Sequence, residues 1–135
     1  MKHFLAAIDG SEASYRALSH AAELARNLNA ALTVVIVRLI IVSRKGTYSA
    51  MTEDEVQAIA AQAGDVAARS GVTQPEIVIE TSRDTSFTIV QVGIDKEVDL
   101  IVMGATGKTG FKAFLLGSVS QEVLRKAACP VTIVH

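Results

Sequence analysis

The 135-residue chain reads as a single α/β domain, an open parallel sheet of five strands with helices on both faces. Three observations predict this class. Short apolar runs, largely β-branched, alternate with longer segments whose apolar residues fall at helical spacing. The runs are continuously apolar rather than alternating, as strands covered on both faces must be. Half of the residues are hydrophobic and a fifth are charged, which suits one domain over residues 1–135 with a real core and excludes a disordered chain.

The first strand is Phe4–Ile8, stopped by Asp9-Gly10-Ser11. Ser11 suits a helix N-cap and Glu12 the first turn, and Ala13, Ala17, Ala21, Leu24, Ala25 and Leu28 then keep helical spacing up to Asn29. Leu32–Val37 is the second strand, and Leu39–Met51, marked by Ser43, Gly46 and Ser49, is expected to be a loop. Thr52-Glu53-Asp54-Glu55 matches a capping box, after which Val56, Ile59, Ala60, Ala63 and Val66 form one helical face closed by Gly71. Ile77–Ile79 is the third strand, Ser86–Lys96 the third helix and Leu100–Met103 the fourth strand. A fourth helix carries Val119, Val123, Leu124 and Ala127 and is expected to stop at Pro130, before a last strand Val131–Val134.

Bulk properties narrow the partners. A formal net charge of −1 forces no basic face, so nucleic acid is not an expected ligand. The single cysteine, Cys129, allows no intramolecular disulfide and favours a reducing compartment. The N-terminus lacks the apolar length of a signal peptide. The longest apolar run, Leu32–Val42, is broken by Thr33 and Arg38 and falls short of the roughly 20 residues that span a bilayer. The expectation is a cytoplasmic protein with no membrane insertion.

Function concentrates in Val102–Ser120, where an apolar strand breaks into Gly104, Gly107, Gly110 and Gly117 and resumes as a helix. A strand, a glycine loop and a helix start let backbone N–H groups converge on an anion. Gly104-Ala105-Thr106-Gly107-Lys108-Thr109 superficially resembles a P-loop, but Val102 stands where its first glycine belongs. The dinucleotide pattern fails as well, since Thr106 replaces its second glycine. What remains is Gly104-x2-Gly107-x9-Gly117-Ser118.

With Asp9 near the start and Ala128-Cys129-Pro130-Val131 near the end, that spacing resembles the universal stress protein family, specifically its ATP-binding branch, over nearly the whole chain. The resemblance implies a Rossmann-like sheet in the order 3-2-1-4-5 and a homodimer. It implies ATP, or AMP or ADP in its place, with Mg2+ carried by the phosphates and no protein metal site. Carried over to this chain, Ala7 and Ile8 would wall the adenine and Asp9 would contact the ribose or adenine side. Val37 would offer its backbone to the adenine edge. Met103, Gly104 and Gly107 would lie along the ribose and phosphates, while Gly117, Ser118, Val119 and Ser120 would hold the phosphate tail.

Other readings stand beside these. Asp9 can serve as a turn residue bonding local N–H groups. Lys108 and Lys112 can meet phosphate or be solvated. Arg38 can face the phosphates or snorkel at the surface. The Leu39–Val42 run either packs under the second helix, the favoured reading, or presents a patch to a partner. No catalytic constellation is present: His3, His20 and His135 are scattered, and there is no GxSxG, HExxH or HxGH. The expected function is a nucleotide-binding stress or regulatory module with slow or no hydrolysis. Its alternatives are a slow ATPase or phosphotransferase at the same site and a dimeric interaction module without nucleotide. Val131–Val134, an apolar edge strand followed by one residue, is the expected dimer contact.

Overall fold

The computed structural model describes residues 2–106 and 116–135. In chain order its elements are β1 (His3–Ile8), α1 (Glu12–Leu28), β2 (Ala31–Ser43), β3 (Gly46–Ser49) and α2 (Glu53–Arg69), followed by β4 (Glu76–Ser82), α3 (Thr85–Asp95), β5 (Leu100–Gly104), α4 (Ser118–Lys126) and β6 (Val131–Val134). The parallel strands run β4-β2-β1-β5-β6. This is the predicted 3-2-1-4-5 order, because β3 is an additional strand that the sequence reading did not contain.

The two faces of β1 explain the layers. Phe4, Ala6 and Ile8 point into one core with α1 and α2, while Leu5 and Ala7 point into a second with α3 and α4. Alternation along a strand sends successive side chains to opposite faces, so a wholly apolar strand needs helices on both. The buried face of α1 is mostly alanine (Ala17, Ala21, Ala22, Ala25), which lets that helix lie close against the sheet.

Polar groups clamp the amino ends of the strands. The Asp99 carboxylate accepts the backbone N–H groups of Lys2 (2.7 Å) and His3 (3.0 Å). Thr33, 1% exposed, donates to Glu76 at 3.0 Å, and Lys96 meets the same carboxylate oxygen at 2.9 Å. His3 Nε2 lies 2.6 Å from the Thr33 oxygen. A hydroxyl has one proton, and here it goes to Glu76, so His3 carries a proton on Nε2 and donates it. Among the described residues no buried side-chain nitrogen or oxygen lacks a partner.

Two expectations are corrected. The segment after Val37 is not a loop packed under the second helix. β2 runs on to Ser43 and pairs antiparallel with β3, from Ile40 opposite Ser49 to Ser43 opposite Gly46. Gly46 takes φ +124°, and Ser43 Oγ accepts the Lys45 N–H, which closes the two-residue turn at Arg44-Lys45. The Arg38 guanidinium is held by local partners. It donates to Met51 O at 3.1 Å and pairs with Glu53 at 2.8 Å, fixing the hairpin to the start of α2. The second correction concerns α4, which ends at Lys126 rather than at the residue before Pro130, with Ala127 already extended. Cys129 is partly buried against the α3–α4 core, as a small apolar side chain would be.

Candidate functional site

Strand order reverses between β1 and β5, and in open α/β sheets the crevice beyond the carboxyl ends at such a reversal is where ligands bind. A cleft of about 290 Å³ lies there, near the lower limit for small-molecule sites. Its walls follow the strand order. Val35 and Val37 of β2, with Thr85 and Ile89 of α3, line one end. Ala7, Ile8 and Asp9 line the middle. Met103, Gly104 and Thr106, then Gly117, Ser118, Val119 and Ser120, line the other end. Val35, Val37 and Ile89 make the β2 end largely apolar, with Thr85 beside them, while the β5 end carries the hydroxyls of Thr106, Ser118 and Ser120 and two glycines beside Met103 and Val119.

Local chemistry builds the middle wall. Gly10 takes φ +88°, which favours glycine, and lets the chain turn from β1 into α1. Asp9 Oδ1 accepts the Ser11 N–H at 2.9 Å, the turn role that the sequence left open. Ser11 Oγ caps α1 through the Ser14 N–H, and Ser14, also on the cleft wall, donates its hydroxyl back to Ser11 O at 2.8 Å. Burial first, and the Asp9 carboxylate second, push the Tyr15 phenol up from its ordinary pKa. Val37 stands one residue past the last β1–β2 pair, Ile8 opposite Ile36.

At the β5 end the exit of the strand and the start of α4 are joined. Gly117 N–H donates to Ala105 O at 2.7 Å, and the Ser120 hydroxyl donates to Gly104 O at 2.8 Å. The chain therefore leaves and returns at one point. Gly117 is the N-cap of α4 and supplies no side-chain acceptor, so its own side chain does not cap the first-turn N–H groups as Ser11, Thr52 and Asp84 do for α1, α2 and α3. A helix N-terminus carries a partial positive charge. Ser120 is on the wall, yet its proton is already given to Gly104, which leaves Thr106 and the exposed Ser118 as the hydroxyls of this corner among the described residues.

Ten of the eleven residues proposed from the sequence line this one cleft. The eleventh, Gly107, lies outside the described residues, as do Lys108, Gly110 and Lys112. Asp9 is the only charged side chain among the described lining residues. Ser14, Val35, Thr85, Ile89 and Thr106 were missed. Helix three does begin with a signal: Asp84 accepts the Phe87 N–H at 3.1 Å and caps it, three residues before Phe87 in the sequence. The described residues include no group of three or more His, Cys, Asp or Glu able to hold a metal ion, and no helix long and apolar enough to cross a membrane.

The fold and cleft define a class: a doubly wound α/β domain with an open cleft at its strand reversal. Comparison with known proteins narrows it. The model of the universal stress protein family matches residues 1–135. A universal stress protein of Methanocaldococcus jannaschii is 35% identical over 133 residues, covering 93% of this chain and 77% of that protein. Universal stress protein YxiE of Bacillus subtilis is 33% identical over 145 residues, 97% of each chain. A solved universal stress protein in complex with cAMP superposes with a TM-score of 0.78 at 27% identity, covering 99% of this chain and 96% of that one. The chain belongs to the universal stress protein family.

Proposed function

We propose that the cleft binds an adenine nucleotide, ATP with Mg2+ on its phosphates, and that the protein is a cytoplasmic regulatory module of the stress response with slow or no hydrolysis. The observation that carries this is the start of α4, left without a side-chain cap by Gly117, opening onto a cleft whose far end is largely apolar. A flat base suits Val35, Val37 and Ile89, and a phosphate suits the first-turn N–H groups that Gly117 leaves without a side-chain cap beside Ser118. The relative solved with cAMP supports an adenine ligand. The Mg2+ would neutralise phosphate charge, since the described walls offer no basic side chain. They also offer no general base besides Asp9, one of whose oxygens is bonded within its turn, which supports a binder over a fast ATPase. The protein is further proposed to be a two-fold dimer through the edge strand β6.

With no tryptophan and two tyrosines, bound adenine will dominate the ultraviolet spectrum of the purified protein. ATP with Mg2+ at ~100 times its dissociation constant should add about 2.7 kcal/mol of stability. Gly117→Val should abolish that gain, because a branched side chain would stand before those first-turn N–H groups. Gly117 has φ −65° and ψ 160°, backbone that valine adopts, so the variant should fold. A plain protein spectrum together with no rise in melting temperature, or unchanged affinity in Gly117→Val, contradicts the proposal.

A further inference from the structure

The hairpin of β2 and β3 reaches past the body of the sheet, and every residue from Ile41 to Ala50 is exposed. It is apolar where solvent would favour polar groups: Ile41 is 37% exposed, Val42 50% and Tyr48 56%. Ile41 and Tyr48 are a cross-strand pair, so their side chains share one face. A two-stranded ribbon is marginal by itself and its outer edge is an open template for pairing. The groups on that edge follow from one bond. Ala50 N–H donates to Leu39 O at 2.9 Å, so Ala50 and, two residues earlier, Tyr48 turn inward. Thr47 and Ser49 therefore turn their N–H and C=O groups outward.

The charges on the arm are asymmetric. From Leu24 to Thr52 the chain holds Arg26, Arg38, Arg44 and Lys45 and no acid at all. Arg38 is paired with Glu53, which leaves Arg44 and Lys45 at the tip. The base of the same arm adjoins the first turn of α2, which holds Glu53, Asp54 and Glu55. One end is basic and the other acidic, a pattern complementary to itself when reversed.

We propose that this arm is a second self-association surface, on which β3 pairs antiparallel with β3 of another copy about a two-fold axis. The register that uses all four outward residues sets Thr47 opposite Ser49 of the other copy, with Tyr48 opposite Tyr48 on the axis. Reversal brings each basic tip, Arg44-Lys45, alongside the other copy's acidic start of α2, and the exposed Tyr48 ring packs against its counterpart across the axis. This surface is distinct from β6 and does not depend on nucleotide.

The test has a positional arm and a charge arm. In a Cys129→Ser background, Tyr48→Cys should crosslink between copies under mild oxidation, since facing residues of a non-hydrogen-bonded pair have Cα atoms about 4.5 Å apart, within disulfide range. Ser49→Pro removes an outward donor without touching a hairpin bond and should lower the sedimentation mass by one association step. Arg44→Glu with Lys45→Glu should weaken that step at least about tenfold. Adding Asp54→Lys to that pair should restore it, which a merely structural role would not do. Because these positions are exposed, circular dichroism should not change. Absence of the Tyr48→Cys crosslink, or a mass unaltered by Ser49→Pro and by the charge reversals, overturns the proposal. Equally, an arm that binds only anionic vesicles or acidic peptides, with no change in mass, overturns it.

Discussion

A Cβ built on Gly104 would lie 3.0 Å from both the carbonyl carbon and oxygen of Ala13. The backbone cannot give way cheaply there, so Gly104→Ala should cost about 1–3 kcal/mol through overpacking, read as a lower urea midpoint. The sequence reading took this glycine as room for a ligand; its first reason is the close approach of α1. Ser120 teaches the same lesson. A serine at a helix start looks like a phosphate donor, but only coordinates reveal that its proton goes to Gly104. Glu76 is a third case. The Lys96 ammonium first, and the Thr33 hydroxyl second, hold its carboxyl below the usual glutamate value. The folded chain thus holds that proton less tightly than the unfolded chain. The stabilisation is complete above about pH 4.3, the ordinary glutamate value, and is lost as pH falls through the lower folded value. Its size is limited by solvent, since the Glu76 side chain is 53% exposed. Glu76→Gln should flatten the acid limb of a plot of urea midpoint against pH, and an unchanged limb would remove this cluster from the account.

Helix starts were the most legible elements, because capping is local chemistry between residues three apart. Thr52 and Glu55 bond reciprocally as expected, with Thr52 Oγ accepting the Glu55 N–H at 3.1 Å and Glu55 accepting the Thr52 N–H at 3.2 Å. Thr52→Ala should lower stability by about 1 kcal/mol, measured by chemical denaturation, and the anchored base of the hairpin should loosen with it. The arm itself was not legible. Leu39-Ile40-Ile41-Val42 lacks the alternation that marks a half-buried strand, and Ser43-Arg44-Lys45-Gly46 has its one glycine after the turn rather than within it. A reader weighing Gly46 with Thr47-Tyr48 had the signal for a return strand. The contribution of α3 to the cleft was hidden for a different reason. Thr85 and Ile89 reach the site only because β4 lies beside β2 and delivers the start of α3 to that end, and nothing local to those residues encodes it.

For the whole molecule, the alternation of apolar runs with helical segments made the parallel α/β class readable, whereas the strand order came only from the family resemblance. How copies of the molecule meet is a separate question. Pro130 and Val134 turn their carbonyls toward β5, where Ile101 and Ala105 bond them at 3.0 and 2.9 Å. By alternation Val131 and Ile133 turn their amides to the open side of β6. The proposed β6 dimer should therefore persist in the Ser49→Pro chain, which should sediment as a dimer at micromolar concentration; a monomer there contradicts it.

The clamp of Asp99 on Lys2 and His3 has one more consequence, for the order in which the molecule can be assembled. The central strand is made first and its amino end is tied by a residue 97 positions later. Residues up to Ser82 can lay down β1, β2, β3 and β4 as they emerge in synthesis, whereas β5 and β6 must arrive and dock on the other side of β1. The cleft straddles that seam, between the early half and the late one. It is the last part of the molecule to exist, and a small molecule seated in it would latch the two halves together.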